Sequence, residues 1–312
     1  MKCVRSVCLA LALGSCCGTA SASAVQIYTF GGDFTSLNAN GAPDSLNFMD
    51  PASAASVAAV LTPVGDGSIG FNGGLVSYSN LLYAIGNDSN GVATLYSMQT
   101  NGQGLAAVSS AFNNTGGAAG IVFQNGLAEI GGTFYAIGAG LSSEGLYQIQ
   151  SGTATQVASL DTFNGTYAGL AWDSSLDEFY GIIAGASGAQ NGDLLVSFGL
   201  TGAVTVVANL NSLDSSQAGT HLGGIADAGS GMLYAIYTNP STFTGELEQI
   251  NLNGSPSASA LYDSGIPLAQ NAGMGIIMPA TGAPEPSAAF GLGGALVLLP
   301  FLRRNRARRN TA

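Results

Sequence analysis

Between residues 25 and 302 the chain contains no lysine and no arginine. The basic residues lie at the two ends, with Lys2 and Arg5 at the start and five arginines after residue 302. All eighteen acidic residues fall in the central stretch. Nucleic-acid binding depends on cationic contacts to phosphate, so this stretch is expected to bind no nucleic acid and to be repelled by anionic lipid surfaces. The sequence also predicts that it has no salt bridges and that divalent cations are its natural counterions.

Cysteine and histidine are scarce as well. The four cysteines all lie near the start, at Cys3, Cys8, Cys16 and Cys17. His221 is the only histidine, which excludes a metal site built on several histidines and any Cys–His site. A Ser-His-Asp triad would need His221 as its base, and the chain has no Gly-x-Ser-x-Gly elbow. We therefore interpret His221 as a turn or channel-rim histidine.

The first 24 residues have the pattern of a secretory signal peptide. Lys2 and Arg5 precede a short apolar stretch, residues 7–13, and small residues at 22–24 offer a cleavage site. Cleavage by signal peptidase at Ala22-Ser23-Ala24 would start the mature body at residue 25 and remove every cysteine. The alternative is a lipoprotein cleavage box at residues 13–16.

The last thirty residues have a second distinct pattern. Pro284, Glu285 and Pro286 are followed by a sixteen-residue apolar run, 287–302. As a helix this run would be about 24 Å long, against about 30 Å of membrane hydrocarbon. Snorkelling arginines would extend its reach and stay on the cytoplasmic side. These arginines are Arg303, Arg304, Arg306, Arg308 and Arg309.

This order of motif, apolar helix and arginine cluster resembles the PEP-CTERM sorting signal over residues 283–312. The resemblance implies a Gram-negative source that secretes exopolysaccharide and an exosortase that removes the tail. It also implies export across the inner membrane, with transient anchoring through the C-terminal helix alone. The expected destination is the cell surface or the extracellular matrix. An ordinary C-terminal anchor is the alternative.

The body, residues 25–282, repeats four short strand patterns about every fifty residues. The first pattern is a glycine followed by apolar residues, the second centres on Tyr-Ala-Ile, the third often begins with Leu-Tyr, and the fourth alternates weakly. The first occurs at Gly74, Gly120, Gly169, Gly224 and Gly275; the second at 82–85, 134–137, 179–182 and 233–236; the third at 95–98, 146–149, 195–198 and 247–250; and the fourth at 155–158 and 204–207. Four strands per unit of this length predict the blade of a β-propeller.

The two ends of the body are predicted to combine into a fifth blade. Residues 27–30 match the third strand, 57–61 the fourth, and 275–277 the first. We therefore expect an all-β, propeller-like fold of about five four-stranded blades, with residues 25–31 in the same sheet as 274–278. Residues 33–50 read as an insertion without a clear strand, and no second strand of this blade is evident. A parallel β-helix is the alternative fold.

The segment 169–182 resembles a repeat common in secreted bacterial propellers, which implies a blade and not an activity. Asp173, Asp177 and Glu178 cluster in its turn, which we interpret as a solvated turn. One alternative is a calcium site with carboxylate oxygen ligands, although the three acids lack the Asp-x-Asp-x-Asp-Gly spacing. The other is a carboxylate pair for glycoside hydrolysis. Trp172, the only tryptophan, is interpreted as a blade-packing residue.

No catalytic constellation, cofactor motif or dedicated metal site is evident in the sequence. The leading hypothesis is an exported, non-catalytic surface or matrix protein with a structural or binding role. An association with exopolysaccharide follows from the resemblance. The alternative is a secreted propeller enzyme that acts on sugars or lactones through carboxylates at the channel mouth.

Overall fold

The computed structural model describes residues 25–31, 44–52, 63–64, 71, 74–87, 92–112, 121–139, 144–188, 191–213, 221, 224–239, 242, 244–267 and 273–278. Both predicted sorting segments lie outside the described residues, and with them the predicted cleavage and sorting residues. These are Ala22, Ala24, Pro284, Glu285, Pro286, Arg303, Arg304, Arg306, Arg308 and Arg309. Within the described ranges, no helix is long and apolar enough to cross a membrane.

The described strands form five antiparallel sheets of four strands each, which we call blades 1 to 5. From the axis outward, blade 1 contains β20 (Met274–Ile277), β1 (Gln26–Gly31), β2 (Asp44–Met49) and β3 (Pro63–Val64). Blade 2 contains β4 (Leu75–Tyr78), β5 (Leu81–Asn87), β6 (Ala93–Met98) and β7 (Ala106–Ala107). Blade 3 contains β8 (Val122–Ile130), β9 (Thr133–Ala139), β10 (Glu144–Gln150) and β11 (Thr153–Leu160).

Blades 4 and 5 follow the same order. Blade 4 contains β12 (Thr166–Asp173), β13 (Glu178–Ala186), β14 (Gly192–Phe198) and β15 (Thr205–Asn209). Blade 5 contains β16 (Ile225–Asp227), β17 (Met232–Thr238), β18 (Thr244–Asn251) and β19 (Ser257–Pro267). One four-residue helix, α1 (Leu210–Leu213), is the only helix in the described part of the chain. The predicted five-bladed, all-β architecture is confirmed, and the β-helix alternative is wrong.

Five apolar layers, one between each pair of neighbouring blades, hold the ring together. Both faces of each blade are therefore covered, which is why the second strands are continuously apolar rather than alternating. Leu82, Ala84 and Ile85 in β5 are each fully buried, for example. The tyrosines of the second strands belong to the core at Tyr135 and Tyr180, which are both buried.

The inner strands approach each other through glycine. A Cβ at Gly126 would lie 2.5 Å from the Leu170 nitrogen, and one at Gly169 would lie 2.7 Å from the Ile225 nitrogen. Gly74 and Gly273 make the same kind of approach to the next blade. Gly126 makes this approach in blade 3, and Gly273 makes it in blade 1. The predicted first strand at residues 275–277 is confirmed as part of β20, whereas Gly120 lies outside the described residues.

Blade 1 closes the ring as expected, because β1 pairs directly with β20. Its strand assignment was wrong in detail. Residues 27–30 form the second strand and not the third, and β2 lies within the segment interpreted as an insertion. The fourth strand is β3, whereas residues 57–61, to which it was assigned, lie outside the described residues. The sequence hid β2 because Asp44, Ser45 and Asn47 interrupt its apolar residues.

Candidate functional site

His221 lies between blades 4 and 5, directly before the inner strand β16, and is only 1% exposed. It was expected at a turn or channel rim, and the structure corrects that interpretation. Its Nδ1 is 2.9 Å from Asp193 Oδ2, and its Nε2 is 2.9 Å from Glu248 Oε2. The His221 backbone N–H also donates to Asp193 Oδ2, at 2.9 Å. The expectation that the body has no salt bridges is therefore wrong.

The two carboxylates reach the imidazole from different strands. Asp193 stands near the start of β14, where its Oδ1 accepts the Gly185 N–H at 2.8 Å. Glu248 stands in the middle of β18 and is fully buried. In the described part of the chain, the second carboxylate oxygen of Glu248, Oε1, has no hydrogen-bond partner. Asp193, His221 and Glu248 thus form a buried cluster, which we call the histidine cluster.

The histidine cluster favours the charged imidazolium. A carboxylate oxygen faces each ring nitrogen, so both N–H groups can donate at once only when the ring is protonated. Burial lowers the pKa of His221, but the bonds to Asp193 and Glu248 outweigh it and raise the pKa to about 9. The pKa of Asp193 is below its ordinary value: burial raises it, whereas the bonds from His221 and Gly185 lower it by more.

The arrangement does not suit a catalytic base or a metal ligand. A general base needs a free ring nitrogen within reach of substrate, whereas both ring nitrogens of His221 are bound to carboxylates and the residue is only 1% exposed. The two carboxylates also lie at opposite nitrogens, so the three side chains do not converge on one point. Among the described residues, no group of three or more His, Cys, Asp or Glu side chains is arranged to hold a metal ion.

The same positions carry aromatic pairs in two other blades. Phe71 of blade 2 packs edge-on against Tyr96 of β6, with ring centroids 5.5 Å apart. Phe123 of blade 3 packs edge-on against Tyr147 of β10, at 5.4 Å. By strand register, Tyr96 and Tyr147 correspond to Glu248, because each lies opposite the central alanine of its second strand. The His221–Glu248 pair is therefore a charged substitute for an aromatic pair.

Asp193 also has a counterpart in blade 3. Glu144, at the equivalent position of β10, is buried, and its Oε2 accepts the Tyr167 N–H from blade 4 at 3.2 Å. Burial raises the pKa of Glu144 to about 7 although this hydrogen bond lowers it. Both carboxylates thus join one blade to the backbone of the next, which gives them a structural role. An acid two residues before the third-strand leucine was the sequence signal for them.

A second group of carboxylates lies at the opposite end of the inner strands. Asp173 at the end of β12 is 1% exposed, and its Oδ1 accepts the Ser175 and Leu176 N–H groups at 2.7 and 3.3 Å. Burial, and then the nearby Asp173 charge, raise the pKa of Asp227 in β16 to about 6. Burial raises the pKa of Tyr180, and the charges of Asp173, Glu178 and Asp227 add to the effect. The interpretation of Asp173 as part of a solvated turn is wrong.

The other residues of this turn behave differently. Asp177 is exposed and has φ of 58°, as a turn residue does, while Glu178 is half-buried opposite Asp173. Trp172 packs edge-on against Phe179 at 4.7 Å, which agrees with its predicted blade-packing role. The structure brings Asp227 of blade 5 towards Asp173, whereas Asp177 is exposed. Calcium binding at this turn stays an untested alternative.

The fold and these clusters define a five-bladed propeller whose buried charges join its blades. No known family model matches the sequence, and no curated protein is significantly similar to it. Solved structures are similar in shape. A chain of the nidogen/laminin complex has a TM-score of 0.42 and 12% identity, over 80% of this chain and 98% of that one.

Two further structures belong to proteins named as glycosidases. A protein named as an exo-β-1,3-galactanase of Bifidobacterium bifidum has a TM-score of 0.48 and 9% identity, over 75% of this chain and 87% of that one. An α-L-arabinofuranosidase of Clostridium thermocellum has a TM-score of 0.36 and 12% identity, over 63% and 70% of the two chains. These scores and identities are too low to transfer an activity to this protein.

Proposed function

We propose that this protein is an exported, non-catalytic propeller of the cell surface or extracellular matrix, delivered through an exosortase-processed C-terminal tail. Signal peptidase and exosortase are its processing partners, and the membrane is contacted only through the C-terminal helix before processing. The body serves as a structural or binding module, and exopolysaccharide is the matrix that the tail's resemblance implies.

The histidine cluster is the observation that supports a non-catalytic body. The only histidine is buried and has both ring nitrogens bound to carboxylates. No lysine, arginine or cysteine lies between residues 25 and 283. Most general acid-base and covalent mechanisms draw on these side chains, so catalysis would be left to carboxylates, hydroxyls and tyrosines. The buried acids Asp193 and Glu144 are already engaged between blades.

Sorting is tested on the native protein. Mass spectrometry of the extracellular form should find Val25 at its N-terminus and no peptide beyond the Pro284–Pro286 motif. Replacing the five terminal arginines with glutamine should leave the body folded and missorted. An extracellular protein that retains its arginine-bearing C-terminal peptide would contradict the proposal.

The alternative, a propeller enzyme acting on sugars or lactones, is tested on the purified body. We expect no turnover of aryl glycosides, polysaccharides or lactones between pH 4 and 9. Turnover that disappears in Asp173→Asn or Asp227→Asn, while the thermal unfolding midpoint stays the same, would favour the enzyme. Asp177→Asn, a change at an exposed acid in the same turn, serves as the matched control.

A further inference from the structure

The outer hairpin of blade 3 carries a row of uncharged polar side chains. In the register of β10 and β11, Gln148 lies opposite Thr155 and Gln150 lies opposite Thr153. These four residues, with Ser151, line a surface cavity of about 300 Å³. Gln150 and Thr155 are exposed, and Gln148 and Thr153 are half-buried, so their amide and hydroxyl groups are accessible to solvent. Ile149 and Ala154, which alternate with them, are buried.

Blade 5 repeats this register with Gln249 half-buried and Asn251 exposed. There the Gln249 amide nitrogen also donates to Met232 Sδ, and Asn251 Oδ1 accepts the Asn253 N–H. Gln249 of β18 lies opposite Ser259 of β19, and Asn251 lies opposite Ser257. The positions are equivalent, because Gln148 and Gln249 each pair with the tyrosine of their own second strand. Each hairpin therefore has two rungs, each an amide paired with a hydroxyl, about 7 Å apart along the strand. We call the two rows the amide–hydroxyl ladders of blades 3 and 5.

The ladders suit a ligand that is itself uncharged and rich in hydroxyl groups. Amides and hydroxyls both donate and accept hydrogen bonds, and sugar hydroxyls do the same. An anionic polymer would meet a body that has no lysine or arginine between residues 25 and 283 to attract it. A protein partner would need apolar or aromatic anchors at the centre of the contact, and the two ladders present none.

We propose that the amide–hydroxyl ladders of blades 3 and 5 bind a neutral polysaccharide. The inference rests on the proposed function, since it names the ligand class of that non-catalytic body. Two ladders on one rigid ring allow a single polymer chain, or two neighbouring chains, to be held at two points. Two-point attachment strengthens retention on a polymer far beyond the affinity of either ladder alone.

The test is affinity electrophoresis of the processed protein in gels that contain dextran, β-1,3-galactan or mixed-linkage β-glucan, with alginate as the anionic comparison. We expect retardation by at least one neutral polysaccharide and none by alginate. The double variant Gln148→Ala/Gln150→Ala should weaken retention about tenfold, because two amide contacts are lost. Adding Ser257→Ala/Ser259→Ala should remove the remaining retention. The matched control, Gln99→Ala/Gln103→Ala, removes two exposed glutamines of blade 2 and should bind like the native protein.

Three results would overturn the inference: no retardation by any neutral polysaccharide, equal retention of the ladder variant and the native protein, or an equal loss in the blade 2 control. Thermal unfolding of each variant shows whether a loss of binding is only a loss of fold. The proposed export and sorting are judged separately, by mass spectrometry of the extracellular form. The ladders can therefore fail while the proposed function stands, and the reverse also holds.

Discussion

Two neighbouring junctions, between blades 3 and 4 and between blades 4 and 5, have the same hydrogen-bond arrangement. The pKa of the buried carboxylate is shifted in opposite directions at the two. In each, a carboxylate near the start of a third strand accepts a backbone N–H from the next blade. At the first junction the next blade supplies Tyr167, and burial raises the pKa of Glu144 to about 7. At the second it supplies His221, and the pKa of Asp193 falls below its ordinary value.

The difference shows what decides whether a buried carboxylate stays charged. One backbone hydrogen bond does not compensate for the loss of solvation at Glu144, so the protonated form is favoured over the charged form. At Asp193 a cationic partner and further N–H donors reverse that balance. Since the body has no lysine or arginine, His221 is the one side chain that could supply such a partner.

The largest effect is expected from His221→Phe, which gives blade 5 the residue found at the equivalent positions of blades 2 and 3. Asp193 and Glu248 would be left buried without their cation, so the free energy of unfolding should fall by about 3–5 kcal/mol. Urea unfolding measures it. The triple variant Asp193→Ala/His221→Phe/Glu248→Tyr rebuilds the apolar contact of blade 3 and should recover most of the loss. An unchanged unfolding midpoint in the single variant would contradict the role of the cluster.

The next effect should appear at both junctions and be the larger at Gly126, whose φ of 133° adds to the contact. Gly126→Ala and Gly169→Ala each place a methyl group against the backbone of the next blade, and each should cost about 2–4 kcal/mol. Gly131→Ala is the matched control, because this turn glycine has no atom within 4 Å of the added carbon. Its cost should be about 1 kcal/mol, from its positive φ alone. Equal costs at all three sites would remove the argument for close backbone packing at the axis.

Asp193→Asn should destabilise the protein by about 2 kcal/mol at pH 7, because the hydrogen bonds from His221 lose a charged acceptor. Because the pKa of Asp193 is lower in the folded protein than its ordinary value of 3.8, its ionisation stabilises the fold at pH values above 3.8. This stabilisation is lost as the pH falls through the pKa of Asp193 in the folded protein. The difference in stability between the variant and the native protein should therefore narrow as the pH falls below 3.8. A gap between the two that stays constant from pH 7 to pH 3 would count against an ionised Asp193.

Glu144→Gln should increase the free energy of unfolding at high pH, and this change should be the smallest of those predicted. The raised pKa of Glu144 means that the native protein loses stability as the pH rises from 4.5 through about 7. Glutamine keeps an oxygen that can accept the Tyr167 N–H and carries no charge. The variant should equal the native protein at pH 5 and exceed it by about 1 kcal/mol at pH 8. If the variant were less stable than the native protein at pH 8, the charged form of Glu144 would stabilise the fold as that of Asp193 does, and the prediction would be wrong.

The sequence predicts the strands of this fold better than it predicts the site. The Tyr-Ala-Ile and Leu-Tyr patterns mark buried strands in order, and five recurrences gave the blade number. In blade 3, however, Gly120 and Gly126 both precede apolar residues within one stretch, and the sequence alone does not show that Gly126 packs against the backbone of blade 4. The histidine cluster joins His221 to Asp193 of the preceding blade, 28 positions away, and to Glu248, 27 positions away, and no local pattern encodes such separations.

The central claim is that His221 is a structural cation, and a proton NMR titration of its imidazole tests it directly. The chain has one histidine, so the resonance needs no assignment. With a folded pKa raised to about 9, the stability it contributes is complete below pH 6.5 and is lost as the pH rises through about 9. We expect the imidazole shifts to stay constant from pH 5 to 8 and to move near pH 9. A titration midpoint near 6.5 in the folded protein would contradict the account.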